Sequence, residues 1–439
     1  MARSSRRPRT DRLTSMWMIA ALVCAVIVLA RPVTLPAAWW TTLHLVTLGV
    51  LTNGILQWSW YFARGILRLP PNDKRGARDS ARRSIAFNIV LVGLIAAMWT
   101  QWIPGVIAAA ALIGAIVAWH GWALAMASRR ALGSRFRVII RYYVIAAALF
   151  VVGCAVAGVL TVATIGTDAP AWIADAHDRW ALTHGLVMVT GWLGLSIAGT
   201  IVTLGPTVLR TKMEDDAAGL AVRALPWLAG GVVAAAAAVL GGWMLAAGLA
   251  LAVYGGALLV GIAIPLVRTV VRRGPREYPA WSMAAGVVWA SVSIVIFATL
   301  LARADSAADA QALAVDWMPV LGAASVAQIF VGALGYLLPV VVGGGPTPVR
   351  TGIATIETLG AARLTVRNAS LVALAVTVGL GSPARWLWWA LVILTFAADV
   401  AALAAAGVRQ ARARRAHRDD AFEPLPPLGL TRPDATEKP

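Results

Sequence analysis

The sequence predicts an all-α integral membrane protein, built as a bundle of twelve transmembrane helices. Of its 439 residues, 59% are hydrophobic and 13% are charged, whereas soluble domains are less apolar and about twice as charged. The apolar residues form runs of about 20 residues, the length that crosses the hydrocarbon core of a bilayer. Clusters of arginine alternate with neutral or acidic connections, as expected for loops on opposite sides of a membrane.

The net charge of +18 comes from arginines that are spread over many loops rather than gathered on one soluble surface. This distribution orients membrane helices and argues against a nucleic-acid-binding protein. The expected partner is therefore the lipid bilayer. Cys24 and Cys154 each lie inside an apolar run without a neighbouring metal or redox motif, so we interpret them as packing residues.

The charge pattern also divides the chain into regions. Residues 1–14 are predicted to form a basic cytoplasmic tail, residues 15–408 the twelve-helix membrane domain, and residues 409–439 a basic, disordered cytoplasmic tail. Both termini then lie on the cytoplasmic side of a cell (inner or plasma) membrane. No connection is long enough for a soluble domain, so any chemistry must lie among the helices or at their ends.

The first six spans follow in order. Span one begins after the basic N-terminus, and span two returns to the inner side, where it ends on Arg64 and Arg68. Spans three and four are joined by an uncharged, tryptophan-rich segment, which is typical of an outer interfacial turn. Span five, from about Tyr142, leads to an acidic outer loop, and span six runs inward to Arg210 and Lys212.

The last six spans repeat this alternation. Spans seven and eight lead back to a basic inner loop, and span nine leads to a second acidic outer loop. Span ten runs inward, and Arg350, Arg363 and Arg367 are expected in the inner loop that follows it. Spans eleven and twelve complete the bundle. Spans two, six and ten are four helices apart and run in the same direction, which suggests a threefold, four-helix repeat.

Two histidines are the main site candidates. His44 and His184 each follow a tryptophan by four residues at the outer start of spans two and six, so both are expected at the same depth. Ionisable groups inside spans are costly and mark functional sites, and imidazole is a good ligand for copper and haem iron. We predict that this pair binds haem or copper. The alternative is that each histidine only cross-links helices by hydrogen bonding.

Small residues accompany both His184 and a polar residue of span ten. With 3.6 residues per turn, span six should carry a single stripe of residues seven apart, which could accept a helix or a flat ligand: His184, Gly191, Ala198 and Gly205. In span ten, Gln328 lies on a comparable stripe and could donate a hydrogen bond to a cofactor. Close helix packing is the alternative interpretation of that stripe.

Three segments carry a resemblance to a known family: HLVTLGVLTNGILQWSWYFARGILR, TGWLGLSIAGTIVTLGPTVLRTKM and QIFVGALGYLLPVVVGGGPTPVR. They resemble the membrane domain of actinobacterial proteins labelled copper oxidases. That domain is distantly similar to NnrS, a haem- and copper-containing membrane protein, and to the twelve-helix subunit I of haem-copper oxidases. The resemblance implies a haem between the outer halves of these helices, with His44 and His184 as ligands from spans two and six.

The chain departs from this family at several positions. Subunit I has two further histidines in span ten, where this sequence offers Gln328, and a histidine pair after span six, whereas span seven has none. Tyr61 stands where the second span of the family often has a histidine. The sequence contains no cupredoxin domain with copper ligands. A dioxygen-reducing binuclear centre is therefore not expected, and the alternatives that stay open are a single haem or copper site and a site that has been lost.

The resulting hypothesis is a haem-copper-oxidase-like membrane protein that binds haem or copper near the outer face. It would transfer electrons or handle copper or nitric oxide for an outer-face redox partner, such as a cupredoxin-domain protein. The residues leave open whether the chain is itself an oxidoreductase. The alternative is a metal-free transporter of a small solute or a structural membrane protein, in which glycine–proline breaks in spans six and ten shape a pathway.

Overall fold

A computed structural model describes residues 11–31, 34–69, 74–130 and 137–420. Helices form nearly all of this part of the chain, and no β-strand occurs within it. Eleven of the described helices are long and apolar enough to cross a membrane. Because only helices and closed barrels satisfy their backbone hydrogen bonds inside a bilayer, this architecture is that of a polytopic membrane protein. The predicted all-α bundle is confirmed.

We number the membrane helices in chain order. They are α1 (Asp11–Ala30), α2 (38–66), α3 (Lys74–Trp99), α4 (Ile103–Arg130), α5 (Arg137–Ile165), α6 (His177–Val208), α7 (Ala217–Leu240), α8 (Met244–Arg272), α9 (Tyr278–Arg303), α10 (Ala307–Val342), α11 (Pro346–Val376) and α12 (Arg385–Asp420).

The twelfth membrane helix, α2, is as long as the others but more polar. It is continuous through three segments, Ala38–His44, Leu45–Thr52 and Asn53–Ile66. The buried amide of Asn53 pairs with that of Asn88 in α3, with N···O distances of 2.7 and 3.2 Å. Polar groups of this kind are costly in lipid, and the Asn53 amide finds its partner within the bundle. With α2, the described chain contains the twelve helices that the sequence predicts.

Four of the described helices contain a stretch of wider, π-helical turns, in which hydrogen bonds connect residues five apart. These stretches are Leu45–Thr52 in α2, Val187–Gly194 in α6, Leu259–Ala263 in α8 and Ala323–Ala327 in α10. Such turns are rare, and they are frequent at functional sites. Their presence in α2, α6 and α10 agrees with a four-helix spacing, but α8 has one as well. The threefold repeat therefore stays a prediction.

The π-helical turns also change the faces of α6. The single stripe of small residues that the sequence predicts assumes 3.6 residues per turn throughout, whereas Val187–Gly194 has wider turns. Gly191 packs against Leu149 of α5, the helix whose Gly153 carbonyl bonds His184, and Ala198 lines the central cavity together with His184. The single stripe therefore stays a prediction.

Helices that are neighbours in sequence pack side by side from α3 to α10. α1 packs against both α2 and α12, and α12 also contacts α10 and α11. The last helix therefore closes the bundle on the first. α6 also contacts α10 directly, so two helices that are four apart in sequence meet. This closed arrangement surrounds the cavity in which the candidate site lies.

The C-terminal helix is longer than the sequence suggests. α12 continues to Asp420, so the predicted disordered tail, residues 409–439, is wrong as far as Asp420. Gln410 fixes this part of the helix, because its buried amide donates to the carbonyls of Pro339 (2.7 Å) and Gly343 (3.0 Å) at the end of α10. The rest of the C-terminal tail lies outside the described residues, as does most of the N-terminal tail.

A buried ionic cluster joins α9, α11 and α12. The sequence predicts Arg363 and Arg367 in an inner loop, but both lie in the second half of α11 with side chains 6% and 0% exposed, so this prediction is wrong. Both guanidinium groups pair with Asp399 of α12, which is 1% exposed. The hydroxyl of Tyr278 also donates to Asp399, at 2.5 Å.

Aromatic rings lower the free-energy cost of burying these charges. The Arg363 guanidinium lies 4.2 Å from the ring centroid of Tyr278, and the Arg367 guanidinium lies 4.0 Å from that of Phe396. Ring faces attract cations and exclude water, while the carboxylate supplies the opposite charge. Counting arginines alone places these residues outside the membrane, because the count ignores a carboxylate that is distant in sequence.

We expect Asp399→Asn to destabilise the fold by about 3–5 kcal/mol, because it leaves two buried guanidinium groups without an opposite charge. The thermal unfolding midpoint of the purified protein in detergent measures the effect. The matched control is Asp305→Asn, which removes an exposed carboxylate and should leave the midpoint almost unchanged. An Asp399→Asn protein that unfolds at the wild-type temperature would contradict the role of this cluster.

The connections give the bundle two ends of different charge. The end that carries Asp168 and Asp305, which we call the acidic end, contains the α5–α6 and α9–α10 connections. The opposite end carries Arg210 and Arg272 at the α6–α7 and α8–α9 connections, and we call it the basic end. The positive-inside rule predicts that the basic end faces the cytoplasm.

This orientation predicts which engineered cysteines are reachable from outside. Because Cys24 and Cys154 are buried, the wild-type chain gives a low background. On intact cells, a membrane-impermeant maleimide should label Asp168→Cys at the acidic end but not Gly274→Cys at the basic end. Gly274→Cys should react only after the membrane is made permeable. The opposite labelling pattern would show that the chain is inserted the other way round.

Candidate cofactor site

α2 and α6 bring His44 and His184 together. His44 is the last residue before the π-helical turns of α2, and His184 lies three residues before those of α6. Their ring centroids are 6.4 Å apart, and the ring planes differ by 17°. The equal depth that the sequence predicts is observed, and the two rings are also adjacent. The matched Trp-x-x-x-His placement at the start of two helices is therefore a pair in space.

Hydrogen bonds fix the tautomer of both rings. Nδ1 of His44 lies 2.8 Å from the carbonyl oxygen of Trp40, and Nδ1 of His184 lies 3.0 Å from that of Gly153 in α5. A carbonyl oxygen can only accept, so each Nδ1 carries the proton and donates. In the neutral rings, Nε2 then has a free lone pair. Histidines that bind metals commonly show this arrangement, because the second bond orients the ring.

The rings are also held by packing. The indole of Trp40 stacks on His44 with the ring centroids 4.1 Å apart and the planes 20° apart. Trp40 therefore holds the imidazole twice, through its carbonyl oxygen and through its ring. His184 is anchored to the neighbouring helix α5 rather than to its own helix. Both imidazoles are thus positioned before any ligand binds.

Both imidazoles line a cavity of about 680 Å³ inside the bundle. Cavities that bind cofactors have volumes of about 300–1,000 Å³ and mostly apolar walls. The wall here is mostly apolar, and none of the described residues that line it is Asp, Glu, Lys or Arg. Large aromatic side chains form much of it: Trp40, Trp192, Phe297, Phe330, Trp389 and Phe396.

Most hydroxyl groups of the cavity wall are already bonded within the protein. Many donate to the carbonyl oxygen of the residue one helical turn earlier: Thr47, Thr161, Thr190, Ser291, Ser293 and Ser325. The hydroxyl of Thr52 accepts from the Trp192 indole at 3.0 Å. The Nε2 atoms of His44 and His184 make no hydrogen bond to a described residue. They are therefore polar atoms with which the wall can bind a ligand, and the Gln311 side chain is a further polar group of the wall.

Gln328 lies elsewhere. Its amide forms a reciprocal pair with Asn368 of α11, with both N···O distances 3.1 Å, and its side chain is fully buried. Its Nε2 also donates to the carbonyl of Ala324 at 2.7 Å, and Asn368 accepts from the Trp289 indole. Gln328 is not part of the cavity wall. These contacts explain Gln328 as a link between α10 and α11 without a cofactor.

His120 and His177 do not share this arrangement of hydrogen bonds. His120 in α4 pairs with the Ser59 hydroxyl at 2.8 Å. His177 lies at the acidic end, where Nδ1 contacts Asp178 at 3.0 Å. No group of three or more His, Cys, Asp or Glu side chains in the described part of the chain could hold a metal ion. The two paired histidines could thus bind a metal in the cavity, without a third described His, Cys, Asp or Glu grouped with them.

The separation of the pair suits one metal between two imidazoles. A histidine nitrogen lies about 2.0–2.1 Å from a bound metal, so two rings on opposite sides of one metal have centroids about 6 Å apart. The observed 6.4 Å agrees with this value. The site residues that the sequence does not reveal are backbone acceptors, above all the carbonyl of Gly153. The sequence gives no sign of a backbone acceptor on another helix, such as the Gly153 carbonyl. The Trp40 carbonyl lies one helical turn before His44, so the four-residue spacing does indicate it.

Comparison with known proteins adds no assignment: no family model matches this chain, and no curated protein sequence is significantly similar to it.

Proposed function

We propose that this membrane protein binds one haem in its central cavity, with His44 and His184 as the iron ligands. The observation that carries this proposal is the pair of fixed imidazoles, 6.4 Å apart, whose Nε2 lone pairs are free beside a large apolar cavity. Each imidazole uses one ring nitrogen, Nδ1, for a hydrogen bond inside the bundle, which leaves Nε2 for a ligand.

The donor set favours haem over a bare copper ion. Copper sites in proteins usually combine three or more side chains, such as two histidines and a cysteine. Among the described residues, no group of three or more His, Cys, Asp or Glu side chains could hold a metal ion, so the histidine pair has no third partner of these types. A haem brings four nitrogens of its own, so one or two histidines complete its iron coordination. The size and the apolar wall of the cavity also suit a porphyrin better than a hydrated ion.

Each part of the site would have its own task. A bound haem supplies a one-electron redox centre, and the residues around it determine its potential and its access to solvent. Trp40 and the Gly153 carbonyl keep both imidazoles in the tautomer that leaves Nε2 unprotonated. The apolar wall keeps water away from the centre. The residues supply no ligands for a second metal, so we do not propose dioxygen reduction at a binuclear centre.

The same proposal includes location and partners. We infer a cell-membrane protein with both termini in the cytoplasm and the histidine pair towards the acidic end. A haem near that end would exchange electrons with a redox protein at the outer face, such as a cupredoxin-domain protein. Roles in copper or nitric oxide handling fit the same centre. These assignments follow the resemblance to haem-copper-oxidase-like membrane proteins.

The visible absorption spectrum tests the site directly. We expect the protein, purified from cells supplied with haem, to show a Soret band and about one haem per chain. His44→Ala and His184→Ala should each reduce the haem content about tenfold or more, because each removes an iron ligand. His177→Ala and Gln328→Ala are matched controls outside the cavity wall, and both should keep the wild-type spectrum.

Other results would change the assignment. Copper without a Soret band, lost in both histidine variants, would keep the pair and replace haem by copper. If neither metal is present after expression with both supplied, the redox proposal fails. The cavity would then belong to a transporter or structural membrane protein, and uptake of solutes by proteoliposomes would be the next measurement.

A further inference from the structure

A second polar group is buried without a partner, far from the histidine pair. Arg83 of α3 lies near the basic end and is 2% exposed. Its guanidinium carbon is 5.1 Å from the ring centroid of Trp60 in α2 and 5.4 Å from that of Trp119 in α4. Three adjacent helices therefore enclose one positive charge between two indole rings.

The hydrogen-bonding groups of this cluster lack acceptors. Nε and one terminal nitrogen of Arg83 are buried without a hydrogen-bond partner, and so is the indole nitrogen of Trp60. Asp79, one helical turn before Arg83, pairs with the exposed Arg82 instead, at 3.3 Å. Stacking on rings attracts the cation but satisfies none of its N–H groups.

A buried charge without an acceptor costs several kcal/mol, and native proteins almost always satisfy such groups with protein, water or an ion. The neighbouring polar residues are not free to do so. His120 and Ser59, which lie next to the two tryptophans in sequence, bond to each other. All the unsatisfied groups here are donors, so the missing partner is an acceptor, and the guanidinium makes a negatively charged one most favourable.

We propose that Arg83 and Trp60 bind a phosphate group, and that its source is the headgroup of an anionic phospholipid in the leaflet at the basic end. A guanidinium matches the geometry of phosphate oxygens with paired N–H donors. Basic pockets between transmembrane helices on the cytoplasmic side bind anionic headgroups.

The surroundings favour a lipid over a soluble ion. Trp119, which covers Arg83 from α4, is 42% exposed, and Trp122 on the same helix is 63% exposed. Tryptophans at this depth lie where the headgroups meet the hydrocarbon. The site therefore borders the bilayer rather than the aqueous phase. The proposal does not depend on haem binding.

Native mass spectrometry of the delipidated full-length protein in non-ionic detergent tests this site. Phosphatidylglycerol is titrated, and phosphatidylcholine serves as the lipid without net charge. We expect phosphatidylglycerol to bind the wild-type chain more tightly, and Arg83→Gln to weaken it about tenfold or more, as expected for lost charged hydrogen bonds. Arg82→Gln, which removes the same charge at the exposed neighbouring position, should change the affinity by less than about twofold.

Inorganic phosphate distinguishes the two sources. Binding of phosphatidylglycerol that depends on Arg83, without thermal stabilisation by inorganic phosphate, supports the lipid headgroup. Stabilisation by inorganic phosphate that Arg83→Gln abolishes, without selective lipid binding, supports the phosphate site and overturns the lipid source. Equal phosphatidylglycerol affinity in wild type and Arg83→Gln, together with no effect of inorganic phosphate, overturns the site.

A second variant covers the case in which Arg83→Gln does not fold. Trp60→Phe removes the indole N–H but keeps an aromatic ring over the guanidinium. It should weaken phosphatidylglycerol binding roughly threefold to tenfold, the effect of one hydrogen bond. Unchanged affinity in a folded Trp60→Phe protein would overturn the assignment of the indole as a donor to the phosphate.

Discussion

Hydrocarbon offers no hydrogen-bond partner, and this constraint governs the polar architecture of the whole bundle. Asn53 pairs with Asn88, and Gln328 pairs with Asn368, so each amide is satisfied by another helix. Hydroxyl groups of the cavity wall donate hydrogen bonds to carbonyl oxygens of their own helices. Against this background, a polar atom without a partner is a departure that needs a cause. The two imidazole Nε2 atoms and the Arg83 guanidinium are the departures on which our two proposals rest.

The π-helical turns connect this constraint to the site. A change from 3.6 residues per turn rotates everything that follows, so residues that a regular helix would align are separated. In α6, His184 and Gly191 both contact α5, and Ala198 lies beside the cavity with His184. The histidines precede the irregular turns in both α2 and α6. The wider turns thus directly follow the paired imidazoles, where the helices surround the central cavity.

Charge is used in two different ways in the bundle. At the buried cluster, the carboxylate of Asp399 pairs with two guanidinium groups, and the rings of Tyr278 and Phe396 cover them. These contacts join α9, α11 and α12, and they depend on the negative charge of the carboxylate. At Arg83 the rings are present, but the nearby carboxylate of Asp79 pairs with Arg82. The same residue type therefore stabilises the fold in one place and, in our proposal, binds a lipid phosphate in the other.

The sequence by itself determined the membrane class, the number of helices and the depth of His44 and His184, because run length, composition and position along a helix are local properties. It located Arg363 and Arg367 wrongly and ended α12 too early, because the partners Asp399, Pro339 and Gly343 are distant in sequence. Only the tertiary structure decided that the two imidazoles meet and that Gln328 faces away from them. Helix rotation and helix neighbours decide such contacts, and neither can be read from periodicity once π-helical turns interrupt it.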